Sequence, residues 1–328
     1  MKQFRFSSLL RKYFSEWVKK LNYNVLSVVL SFKKFNTKNG IIILSEARGG
    51  STWLMEILGN IPNTIFNWEP LHPEKGVVPK KFRWGNRPYL PENDSNPEYK
   101  KLMHEILCMK KHSGWTLERN SFSRAIKSET VITKFVRANL LLPWMLQNFR
   151  LNSKPIFLLR HPIDTCISHI NAFGEMEQIK NKRDIPGWIN NERFFQHFDL
   201  LKKPISQLEY RIAFWCLNNA WVIQKNFLNK CIIVYYEDLV MHPEEERKRI
   251  LIELKRNEMS EKAMYSVNLR KASSTNFKNE LKTNPEEQLI KNIKNLNSST
   301  KEKIQKIFDH FNFTVYNAFS PFPDKRIN

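Results

Sequence analysis

The residues Leu44-Ser45-Glu46-Ala47-Arg48-Gly49-Gly50-Ser51-Thr52-Trp53 place a cation, two glycines and several hydroxyls directly after the apolar run Ile41-Ile42-Ile43. A buried strand that passes through a glycine loop into a helix starting near Thr52 aims backbone N–H groups and a helix N-terminus at one spot. That arrangement binds anions. The loop lacks the Gly-x-x-x-x-Gly-Lys-Ser/Thr spacing of nucleoside triphosphatases, and its one cation, Arg48, precedes the glycines. The plainer alternative is a glycine turn between a strand and a helix.

A second segment has the same plan. Lys154-Pro155-Ile156-Phe157-Leu158-Leu159-Arg160-His161-Pro162-Ile163-Asp164-Thr165-Cys166-Ile167-Ser168 reads as a strand ending at a cation and turning into a helix. Pro162 suits the first helical position, where its missing N–H costs nothing. Ligands of open α/β sheets bind outside the carboxyl ends of the strands. Two strand ends suited to anions imply a ligand carrying phosphates at both ends.

With both motifs in place the chain resembles the sulfotransferases that use 3′-phosphoadenosine 5′-phosphosulfate (PAPS), closest in motif to the carbohydrate-type enzymes. Arg48-Gly49-Gly50-Ser51-Thr52-Trp53 resembles the family's 5′-phosphosulfate loop, with Gly49 where a serine is usual. Arg160 and Ser168, eight residues apart, match its 3′-phosphate motif, and Tyr236-Glu237-Asp238-Leu239 resembles a structural landmark. The resemblance implies donor binding by Arg48, Gly49, Gly50, Ser51, Thr52, Trp53, Arg160 and Ser168. It extends faintly to Arg270 and Lys271, where Ala272 replaces the family's glycine. It also implies PAPS as donor cosubstrate, with no metal.

Three further residues complete the expected chemistry. Glu69, in Trp68-Glu69-Pro70, lies at the end of a strand, and the resemblance makes it the general base; apolar neighbours such as Trp68 are expected to raise its pKa. His72 is the competing base. Lys134, ending another strand, faces the same crevice and supplies charge for the bridging oxygen, a role that Arg137 could exchange with it. Arg48 shares in that charge stabilisation. The expected reaction is in-line transfer of the sulfuryl group to an acceptor hydroxyl; the Glu69-Pro70 resemblance leans toward a carbohydrate or glycan and leaves lipid, peptide tyrosine and small phenol acceptors open. Trp68, Trp84 and Trp115 suit either stacking on sugar rings or a core.

These residues must be positioned by alternating strands and helices, the pattern of a parallel sheet covered on both faces. Strands are expected at Ile41–Ser45, Thr64–Trp68, Val131–Phe135, Pro155–Arg160 and Cys231–Tyr236. Helices are expected at Thr52–Gly59, Glu98–Lys111, Ala138–Phe149, Ile163–Ala172, Ile205–Leu228, Glu244–Arg256, Glu286–Leu296 and Ser299–Phe311. The fold class is therefore α/β, a P-loop-like three-layer fold with a central five-stranded parallel sheet. The loop from Gly76 to Asn96 is placed to border the acceptor site, and the polar stretch from Asn268 to Pro285 reads as a lid.

Residues 1–39 read as a basic amphipathic segment and 40–328 as the transferase domain. Phe6, Leu9, Leu10, Tyr13, Phe14, Trp17, Val18 and Leu21 make one apolar stripe at helical spacing. Nine Lys/Arg against one Glu give these 39 residues a charge of +8. The stripe suits either packing on the protein's own body or a second subunit, the favoured reading, or an anionic membrane surface. The whole chain, 328 residues with 41% hydrophobic content and a net charge of +21, is large enough for a real core and favours anionic partners. No stretch reaches the ~18 apolar residues of a membrane span, and the four unpaired-looking cysteines fit a reducing compartment, so a cytoplasmic location is expected. A nucleotide or small-molecule kinase would need a Lys after the glycines and carboxylates for Mg²⁺. A nucleic-acid-binding module would show a recognisable recognition motif.

Overall fold

The computed structural model describes residues 2–177, 197–202, 206–225, 227–256 and 284–327. Five strands form one sheet: β1 (Ile41–Leu44), β2 (Thr64–Trp68), β3 (Thr130–Phe135), β4 (Ile156–Leu159) and β5 (Ile232–Tyr235). Their order is β2-β3-β1-β4-β5 and every pairing is parallel. The strands are short and almost wholly buried because helices cover both faces, so apolar residues run on without polar alternation. Side chains still divide by the two-residue period: Ile41 and Ile43 face one core, Ile42 and Leu44 the other. The chain leaves β1 for one side of the sheet, then returns past it to the other. The crevice outside the carboxyl end of β1 is therefore the switch point at which such folds bind ligands.

The helices are α1 (Lys2–Ser31), α2 (Ser51–Leu58), α3 (Pro97–Leu107), α4 (Gly114–Leu117), α5 (Phe122–Lys127), α6 (Leu142–Asn148), α7 (Pro162–Phe173), α8 (Phe198–Lys202), α9 (Gln207–Gln224), α10 (Tyr236–Met241), α11 (Pro243–Glu253), α12 (Pro285–Lys294) and α13 (Ser298–His310). All eight expected helices are present, with a 3-10 turn at Asn139–Leu141 opening the one before α6. Helices α4, α5 and α10 are too short for periodicity to reveal, and α8 was likewise not expected. The fifth strand stops one residue early, since Tyr236 opens α10 with Glu237 and Asp238 in its first turn, where carboxylates favour a helix N-terminus. Glu237 is buried, accepting hydrogen bonds from the His161 N–H at 2.9 Å and the Tyr316 hydroxyl at 2.7 Å. Burial pushes its carboxyl up to about 7. All four cysteines are buried and free.

Helix α1 docks by its C-terminal half. Leu26 and Leu30, followed by Phe35, pack on Ile65, Met109, Leu117 and Val131. This is not the expected stripe: Phe14, Trp17, Val18 and Leu21 remain exposed, and Val25, Val28 and Phe32 continue them at helical spacing. Among the described residues no helix is long and apolar enough to cross a membrane.

Candidate active site

The glycine loop is fixed by close approach. Gly50 caps α2 with φ +94, and a Cβ there would lie 2.4 Å from the Tyr236 ring. At Gly49 a Cβ would fall 2.4 Å from Ser45 Oγ, which itself donates to the Leu158 carbonyl at 3.0 Å. The serine hydroxyl of this loop thus sits four residues early, and it fills the space a side chain at position 49 would need.

Arg48, with φ +68, turns back across the crevice and donates from Nε to Ser168 Oγ at 3.1 Å. Its carbonyl accepts from Arg160 Nη1 at 3.0 Å. The Arg160 guanidinium lies 4.3 Å from the centre of the Tyr236 ring, which in turn meets Trp53 edge-on. Arg160 Nε is buried without a hydrogen-bond partner among the described residues. Burial and the neighbouring Arg160 both lower the Arg48 pKa. For Arg160, burial works the same way but is outweighed by Tyr236, Asp164 and Glu237, and the pKa ends raised. Two close guanidiniums, an orphaned N–H and a helix N-terminus make a cradle for a multiply charged anion. The donor set fits the phosphates of PAPS.

Glu69 stands one residue beyond β2, and its N–H donates to the Lys134 carbonyl at 3.0 Å, adding one rung to the ladder. The chain turns away there through a left-handed φ of +45. The carboxylate accepts from Lys134 Nζ at 2.6 Å on one oxygen and from Arg137 Nη1 at 3.1 Å on the other. Lys134 Nζ also donates to Thr52 Oγ1 at 3.1 Å, so one buried ammonium joins the carboxylate to the glycine loop. The expected upward shift of Glu69 is not found. Burial alone would raise its pKa, but Lys134 and Arg137 together outweigh burial and hold it below the usual carboxylate range. Burial lowers the Lys134 pKa in turn, against the pull of Glu69.

His72 lines the same cavity, but its ring is already engaged. Its Nδ1 accepts from the backbone N–H groups of Glu74 and Lys75 at 3.3 and 3.2 Å, so the neutral ring carries its proton on Nε2. Burial and Arg137 keep its pKa low. Trp68 and Trp115 stack with centroids 4.6 Å apart, and their outer faces are covered by Arg119 and Lys75. Trp84 belongs to the core.

One cavity of about 1350 Å³ joins these groups. It brings together Arg48, Gly50, Ser51, Thr52, Trp53, Glu69, Lys134, Arg160 and Ser168. Asn86 and Arg87 of the proline-rich loop line it. Arg270 and Lys271, and nearly all of the segment read as a lid, lie outside the described residues. The sequence reading missed Glu46, His169, Arg211 and Asn218, all of which line the same cavity. The signal was present on α9, where Arg211, Asn218 and Asn219 stand among the apolar residues of its central turns.

Residues 40–257 match the family described as the sulfotransferase family. No curated protein matches. Solved structures similar to this chain include the sulfotransferase domain from the curacin biosynthetic pathway (17% identity, 84% of this chain and 98% of that one, TM-score 0.42), that of the Synechococcus PCC 7002 olefin synthase (17%, 85% and 98%, 0.40), and sulfotransferase STF9 from Mycobacterium avium (9%, 84% and 76%, 0.36).

Proposed function

Because this chain belongs to the sulfotransferase family, we propose that PAPS binds with its 5′-phosphosulfate on the Arg48–Trp53 loop and its 3′-phosphate between Arg160 and Ser168, and that Glu69 deprotonates the acceptor hydroxyl. The observation that carries this reading is Lys134, whose ammonium touches both Glu69, at 2.6 Å, and Thr52 of the loop, at 3.1 Å. The donor supplies the sulfuryl group and leaves as 3′-phosphoadenosine 5′-phosphate (PAP). Glu69 is ionised at neutral pH and ready to take a proton. When Lys134 turns toward negative charge on the bridging oxygen, the carboxylate loses a main partner and its proton affinity rises at the moment of transfer. Arg137 keeps it oriented. Preorganised cations of this kind supply the largest single part of such catalysis. Arg270 and Lys271 belong to this proposal as further 3′-phosphate contacts.

The acceptor is proposed to be a carbohydrate or glycan. Support comes from the Glu69-Pro70 resemblance; the aromatic pair adds little, since cations already cover the faces of Trp68 and Trp115.

Arg160→Ala tests the donor site. It should weaken PAP binding by about 1.5–3 kcal/mol, the range for a hydrogen bond to a charged group, which is roughly 10- to 150-fold by calorimetry. Unchanged affinity removes Arg160 from the site.

Residues 1–39 are proposed as a surface-attachment segment and 40–328 as the transferase domain. The exposed stripe from Phe14 to Phe32, beside the basic residues of α1, has the chemistry of a helix lying on anionic lipid. The full chain should float with phosphatidylserine-containing liposomes and stay behind with neutral phosphatidylcholine. Equal behaviour in both contradicts an electrostatic membrane role.

A further inference from the structure

Part of the cavity serves neither the donor cluster nor the base. On α9, Arg211, Phe214, Trp215 and Asn218 recur at intervals of three and four, so one helix face lines it. Asn218 is only 1% exposed, yet neither its Oδ1 nor its Nδ2 has a hydrogen-bond partner among the described residues. Buried carboxamides left open at both ends are rare, because each unmet group forfeits its hydration without return. Arg211 Nε is likewise buried and unpartnered, while Nη1 meets His169 Nε2 at 3.4 Å.

Among the described residues no carboxylate forms an ion pair with Arg211. Burial, with Arg211 and Arg87 beside it, pushes His169 down to about 3, leaving a neutral ring. Glu46 is the neighbouring carboxylate, but Arg87 holds it at 2.7 Å and Asn219 donates to its other oxygen at 3.3 Å. Cys166, Arg87, Glu46 and Tyr210 act on Arg211, and its neighbour His169 also feels Arg48, so this patch adjoins the donor cradle.

The geometry points to an oxyanion-recognition subsite made by Arg211 and Asn218, with Arg87 at its edge, so that the favoured acceptor carries a negative group of its own: a carboxylate, a phosphate or a sulfate ester. The inference rests on the sulfotransferase reading above, since it makes this part of the cavity the acceptor's. A guanidinium fork binds such oxyanions through paired hydrogen bonds, and the Asn218 amide adds a donor. An acceptor bound here would reach toward Glu69 with its hydroxyl and leave its charge at α9. Uncharged alcohols and phenols lack that hold.

The test uses inorganic phosphate as the probe, titrated by calorimetry into the full chain saturated with PAP. With the donor cradle filled, the wild type should bind one more phosphate than Arg211→Met. Arg211→Lys should recover part of the binding, and Asn218→Ala should weaken it roughly tenfold, the effect of one lost hydrogen bond. A phosphate resting beside Lys134, where the sulfuryl group is proposed to sit, survives Arg211→Met and is thereby told apart. Identical isotherms for wild type and Arg211→Met, or no phosphate binding in the wild type, overturn the subsite. PAP affinity measured on the same proteins reports separately on the donor reading, and the difference between wild type and Arg211→Met is read with or without PAP. Thermal melts show that each variant is folded, with Asn218→Ala as the second route if Arg211→Met is not.

Discussion

Replacing Glu69 with Gln should lower sulfate transfer by about 10²–10⁴-fold, the usual contribution of a positioned base, while leaving PAP affinity unchanged. Gln keeps the size and can still accept a hydrogen bond from Lys134, but it cannot take a proton at neutral pH. The substitution also removes the negative charge that offsets Lys134 and Arg137, so a lower melting temperature is expected. PAP binding shows whether the crevice survives. The control is His72→Ala, which should turn over within a few-fold of wild type, because the backbone N–H groups of Glu74 and Lys75 already occupy its Nδ1. A dead His72→Ala beside a working Glu69→Gln would move the base to His72.

The strands and most long helices were legible because burial on both faces leaves an unmistakable code: Ile41 to Leu44 has no polar residue. The glycine loop was legible for a similar reason, since Gly49 and Gly50 occupy positions where a Cβ would collide. What the sequence could not show was the partnership of Glu69. Its apolar neighbour Trp68 pointed to a raised pKa, whereas the register pairs Trp68 with Lys134 and so brings an ammonium to the carboxylate from a strand 66 residues on. Arg87, Arg211 and Glu46 stayed hidden likewise. They come from a loop, a helix and a strand end that only the folded topology gathers. Periodicity sees neighbours three or four residues apart and is blind to such meetings.

Lys134→Met is expected to cost about 10²–10³-fold in turnover, the loss seen when one preorganised electrostatic donor is removed. It should also move the pH profile in a definite direction. A base acts in its ionised form, so kcat/KM falls as pH drops through the Glu69 pKa. Burial acts to raise that pKa, but Lys134 and Arg137 hold it below the ordinary value. Removing Lys134 leaves burial less opposed, the Glu69 pKa rises, and the acidic limb moves to higher pH. An Arg137→Met variant should shift the limb the same way. If turnover falls but the limb stays in place, Lys134 acts on the leaving group while the titrating base is another residue.

One crevice is proposed to grip both phosphate ends of a single nucleotide, and calorimetry with two ligands addresses that directly. PAP and adenosine 5′-monophosphate differ by the 3′-phosphate alone, the group proposed to meet Arg160 and Ser168. PAP should bind at one site without added metal and at least about tenfold more tightly than the monophosphate, the margin expected for a charge-assisted hydrogen bond. Equal affinities for the two nucleotides, or no binding of PAP, would contradict the account.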